Sequence, residues 1–247
     1  MNMANDKKSS YDYFELQNLQ LDFSYSEIIE NLKNPACEDF VKIFSILNLN
    51  DISSLDDMLL LFSHLTNHST PIREVVALKL EEIYLEKYYN DEIKKQFLKA
   101  IIDINPNVCR AVYNVISKSN MLKEELELDL ISNIKLLLSQ IELQDKALGS
   151  FFDDAVKIRK NHAKNKKLFS LYWYLECLSI CKSEKFNSEV LEILKKTIKF
   201  NDYTIREKTA KILANFENLP DEIFQIAKNE QNFYVKNLVY DKIKFED

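Results

Sequence analysis

The chain has 247 residues, 46% of them hydrophobic, with 33 basic against 39 acidic side chains and a formal net charge of −6. That apolar content excludes disorder as the default state, and the negative balance repels a polyphosphate backbone unless the cations are segregated onto one face. One glycine and four prolines are present, where ordinary usage of about 7% would supply roughly 17 glycines; tight strand hairpins and glycine-rich nucleotide loops are disfavoured together.

Residues 1–10 are polar, lack the apolar core and cleavage site of a leader, and are expected to form a flexible tail ahead of one helical-repeat domain over 11–247. From Tyr11 onward apolar residues recur at i, i+3/i+4 and i+7, the period of amphipathic helices. The spacing predicts helices over 11–20, 24–33, 36–49, 53–66, 71–89, 91–103, 106–118, 122–141, 145–161, 166–182, 187–199, 203–216, 220–228 and 232–245. Ser24 with Glu27, Ser53 with Asp56, and Asp202 before Tyr203 supply side chains that accept first-turn N–H groups. Asn34-Pro35, Thr70-Pro71 and Asn105-Pro106 pair a cap with a proline, which loses no hydrogen bond at the first helical position. Around Gly149 two readings stand open: a helix end followed by a new start, or a small residue inside a helix carrying Phe151, Phe152 and Ala155.

Those three prolines lie 36 and 35 residues apart, a recurrence expected of stacked helical hairpins. Ile72-Arg73, Val108 with Arg110, Ile205-Arg206 and Val235-Lys236 each place a basic residue one or two positions after an aliphatic one, with further apolar residues on the following turns. These segments resemble the second helix of a HEAT repeat, in which an Asp/Pro-containing turn precedes Val-Arg and then small and aliphatic residues. The resemblance covers Pro35 to Phe245 and implies an all-α solenoid of roughly seven stacked antiparallel helix pairs. It also implies that the basic residue pairs with a turn carboxylate of the adjacent repeat.

The strongest local anomaly is the run from Lys157 to Lys167, which holds Lys157, Arg159, Lys160, Lys164, Lys166 and Lys167 with His162 and no acid. It reads as a basic helix–turn–helix junction able to seat phosphate or an acidic partner segment, or else as a solvated helix end. Next to it, Phe169, Tyr172, Trp173 and Tyr174 cannot all face one side of a helix, so Tyr172 and Trp173 are candidate partner-binding anchors unless the helix is buried around most of its circumference. His64 and His68 share i, i+4 spacing but lack a third ligand, and Cys177 and Cys181 fit a buried pair, so no metal site and no cofactor is expected.

No catalytic residue is assigned. The expected function is a non-catalytic scaffold that holds a protein or peptide on the concave face of a HEAT-like solenoid. Nucleic acid is disfavoured by the net charge, and no stretch is long and apolar enough for a membrane span. Four scattered cysteines without disulfide or zinc spacing suggest a reducing, cytoplasmic setting. Two rivals come from the same resemblance: a HEAT-like glycosylase removing alkylated bases, using Glu176 beside Tyr172 or Trp173, and a HEAT-like lyase or chaperone for a prosthetic group.

Overall fold

The structure is a computed structural model that describes residues 23–147, 154–181, 187–216 and 220–244. The described residues form twelve α-helices, two short 3-10 turns and no strand, so the chain is all-α. The helices are α1 (Tyr25–Lys33), α2 (Asp39–Leu47), α3 (Leu55–Ser63), α4 (Thr70–Ile83), α5 (Asp91–Ala100) and α6 (Pro106–Lys118). They continue as α7 (Asn120–Ala147), α8 (Asp154–Leu178), α9 (Asn187–Thr197), α10 (Tyr203–Leu213), α11 (Asp221–Lys228) and α12 (Phe233–Lys244). The expected tail over 1–10, the helix over 11–20 and both readings of Gly149 lie outside the described residues.

Local chemistry explains where most helices begin. Ser24 and Glu27 form a reciprocal capping box at α1, and the Asp202 side chain accepts from the Thr204 N–H at α10. At α3 the cap is Ser54 with Asp57, one residue later than the spacing predicts. Ser53 is diverted there, since its N–H donates to the Tyr25 hydroxyl, which in turn donates to Asp57. Pro71 sits in the first turn of α4 and Pro106 opens α6. Asn34-Pro35 does not start a helix: the Ala36 and Cys37 N–H groups bond back to Asn34, closing a separate turn, and α2 begins only at Asp39. No described residue has positive φ, so the helices end without the left-handed cap that glycine favours.

The largest departure concerns the basic run. Two helices are predicted over 145–161 and 166–182, but the described residues from Asp154 to Leu178 form one continuous α8, and no turn interrupts it between Lys157 and Lys167. Nothing in Asp154–Leu178 breaks a helix: glycine and proline are absent, and lysine, arginine, alanine and leucine are strong helix formers.

Packing divides the chain into two compact units, Met1–Val115 and Ile116–Asp247. In the first, α1 packs on α2 and on α3, α2 packs on α4, and α3 packs on α5. Side-chain amides tie α6 to α4, Asn107 donating to Glu74 at 2.9 Å and Asn114 to Glu81 at 3.1 Å. Phe62, Phe97 and Tyr84 meet edge to face at the core of this unit, with Phe62 and Phe97 fully buried. In the second unit α7 pairs with α8, α9 with α10 and α11 with α12, while α7 also packs on α9, α8 on α10, α9 on α11 and α10 on α12. Within each unit, then, first helices of successive pairs lie against first helices and second helices against second.

Candidate functional site

The turns that open second helices carry a repeated polar construction. Arg73 Nε and Nη2 donate to the Asp103 carboxylate at 2.7 and 3.1 Å, and its Nη1 donates to the carbonyls of Asn67 and His68. Arg206 repeats this on Glu230 at 2.7 and 3.3 Å, with Nη1 on the carbonyls of Phe200 and Asn201. In both cases the carbonyls lie six and five residues before the arginine. In both cases the carboxylate also accepts the N–H two residues on, from Asn105 and Asn232. Burial opposes the charge on Glu230, but its bonds from Arg206 and from backbone N–H groups win and hold its pKa below the ordinary value.

Arg110 and Lys236 do not complete a ladder of such contacts. Arg110 is exposed, and the equivalent register is filled by Cys109, whose thiol donates to the carbonyl six residues back, that of Asp103, at 3.1 Å. Lys236 is exposed as well. The acid-x-Asn pattern of Asp103-Ile104-Asn105 and Glu230-Gln231-Asn232 is the sequence signal that marks the two acceptors.

The second unit holds a polar cluster between second helices α8 and α10. Glu176 receives Lys211 at 2.7 Å and Lys208 at 3.0 Å, and the Lys208 ammonium sits 4.7 Å from the centre of the Tyr172 ring. Burial disfavours the Lys208 charge, yet Glu176 and the Tyr172 hydroxyl outweigh it and raise its pKa. The partners Lys208 and Lys211 were not singled out from the sequence, because nothing local links them to Glu176.

Of the candidate anchors, Tyr172 is half-buried, its ring 5.4 Å from that of Trp173. Trp173 is only 7% exposed, so it belongs to the packed interior and is not presented to a partner. Lys157, Arg159 and Lys160 lie on the first turns of α8, and only their position on the helix is described. Further along, Lys164 is half-buried, Lys166 is exposed, and Lys167 donates to Gln144 of α7 at 3.1 Å.

Among the described residues no group of three or more His, Cys, Asp or Glu side chains could hold a metal ion. His64 is buried, with Nε2 donating to the Leu32 carbonyl and Nδ1 accepting from the Asn67 amide; His68 is exposed. Cys177 and Cys181 are buried, and the Cys181 thiol bonds to the carbonyls of Cys177 and Lys123. Among the described residues no helix is long and apolar enough to cross a membrane. No family model, curated protein or solved structure matches this chain.

Proposed function

We propose that the chain is a HEAT-like α-solenoid that acts as a non-catalytic scaffold for a protein or peptide, seated along the row of second helices. The observation that carries this reading is the duplicated arginine staple. In each unit an arginine at the same register of a second helix clamps its own turn and reaches a carboxylate of the following turn. Such a contact sets the spacing between successive hairpins, and repeated equal steps generate the extended concave surfaces that repeat proteins use for binding. The glycosylase-like reading needs Glu176 and an aromatic in an open cleft, whereas Glu176 is engaged by two lysines and Trp173 is buried. The scaffold reading requires neither.

Small-angle X-ray scattering tests the architecture. A compact globule of this length would have a radius of gyration of about 18 Å, and a stacked array of hairpins gives a clearly larger value. A result near 18 Å removes the solenoid. Partner capture with the native protein and with Tyr172→Ala and Lys160→Glu tests the surface, and capture indifferent to both substitutions removes the second-helix face as the seat.

A further inference from the structure

Helix α7 carries an uncovered apolar stripe. Leu128, Leu136 and Leu143 are 54%, 55% and 66% exposed, while other sides of the helix are engaged, Gln144 accepting from Lys167 of α8 and Glu142 from Lys196 of α9. At about 100° per residue, Leu128, Ser132, Leu136, Ser139 and Leu143 fall within about 80° of one another, opposite the buried Leu130, Ile134 and Ile141. Between Leu128 and Leu143 no charged residue shares that arc. The two serines need nothing from outside, since Ser132 Oγ donates to the Leu128 carbonyl at 2.9 Å and Ser139 Oγ to the Leu136 carbonyl at 2.8 Å. An apolar surface can therefore cover the stripe without stranding a polar group. Lys135 stands at its edge, where its charge reaches Glu189 of α9.

We propose that this stripe pairs with the same stripe of a second copy of the chain, the two α7 helices running antiparallel about a two-fold axis. The stripe is symmetric along its own length: Leu128 and Leu143 are equidistant from the midpoint between Lys135 and Leu136, and so are Ser132 and Ser139. Antiparallel pairing about that midpoint lays Leu128 on Leu143 and Ser132 on Ser139 of the second copy, and sets Leu136 beside its own counterpart at the axis. Such self-complementarity is what a two-fold contact requires. A charged or polar partner would find neither charge nor a free hydroxyl in the stripe. The net charge of −6 opposes bringing two copies together, but that repulsion is screened within about 8 Å at physiological salt, whereas apolar contact is not. A helix face about 22 Å long and about 10 Å wide buries less than the roughly 1,200 Å² of a standard interface, so the pair is reversible, with a dissociation constant on the order of 100 µM. The inference goes beyond the scaffold reading and stands without it, because the stripe faces away from α8 and covers no second helix of its own unit.

Sedimentation velocity on the full chain at about 10 to 500 µM tests the proposal. The apparent mass should climb from the 29.1 kDa of one chain toward twice that value. Raising salt from about 0.15 to about 0.5 M should strengthen the association by screening the like net charges. Leu136→Glu sets two carboxylates against each other at the axis and should weaken association about tenfold or more. Ile104→Glu, at a 79% exposed position of the first unit, should change it less than about twofold. Leu136→Lys alone should also weaken it, while an equal mixture of the Glu and Lys variants should associate again as a mixed pair. Circular dichroism checks each variant, and should either lose helicity, Leu143→Gln should still weaken association by about twofold or more. A single 29.1 kDa species at every concentration overturns the proposal, whether hydroxyl-radical footprinting then finds the stripe protected by another segment of the chain or open to an unlike partner. A dimer that survives Leu136→Glu, or a mixture of the two variants that stays monomeric, overturns it as well.

Discussion

Arg73 and Asp103, thirty residues apart in sequence, are joined by a bidentate contact of 2.7 and 3.1 Å with the two side chains only 8% and 11% exposed. Arg73 spends its remaining donors on the carbonyls of Asn67 and His68 and on the Thr70 hydroxyl, so one guanidinium closes a turn and fastens the next one to it. Arg206 and Glu230 reproduce the arrangement in the second unit.

Removing one partner leaves the other charge buried and unpaired, so Asp103→Ala should destabilise the first unit by about 3 to 5 kcal/mol. Glu230→Ala should act in the same direction in the second. Urea unfolding measures both, and a loss below about 0.5 kcal/mol for Asp103→Ala, the range of ordinary surface substitutions, would mean that the staple does not hold the turns.

Stability should fall on mild acidification, and His64 should be responsible. Burial lowers its pKa from the ordinary 6.5; the bond to the Leu32 carbonyl works against that shift, and the charge of Lys42 reinforces it. With the folded pKa depressed, the unfolded chain takes up the proton first. The contribution of the neutral ring is therefore complete above pH 6.5 and declines as pH falls through that value toward the folded pKa. Urea midpoints taken from about pH 7.5 down to about pH 5.5 should drop for the native chain and drop less for His64→Gln. Equal slopes for the two would count against His64 as the source.

Thiol reactivity should separate Cys37 from the other three cysteines. Cys37 is half-exposed, whereas Cys109, Cys177 and Cys181 are buried. Burial pushes the Cys109 and Cys181 thiols up to about 12, so at pH 8 only about one in ten thousand of either is thiolate. Titration with an aromatic disulfide should show one fast thiol in the native protein and all four after unfolding. A fast phase that survives Cys37→Ser would show that a buried thiol is reached.

The helical class and the position of most turns were legible because their causes are local. A 3.6-residue apolar period, Ser24 with Glu27, Asp202 and the turns at Pro71 and Pro106 act within a few residues, and each is present in the structure. Reading a junction into Lys157–Lys167 failed for an equally local reason: charge density does not stop a helix when the run holds no glycine or proline and lysine, arginine and alanine outnumber the weaker formers Asn161, His162 and Asn165, and α8 passes straight through.

Partnership and burial were decided only by the tertiary structure. The sequence places a basic residue near the start of several second helices. Whether that residue finds an acceptor depends on a turn 24 to 30 positions away, and at α6 a one-residue shift puts Cys109 at the staple register and turns Arg110 outward. Trp173 and Tyr172 are neighbours in sequence, yet the indole goes into the core and the phenol ring lies under Lys208 from α10. Periodicity establishes that a helix has a buried side. Which residues end there is set by the neighbouring helices, because burial and ion pairing are properties of the surfaces brought together and not of the segment that carries them.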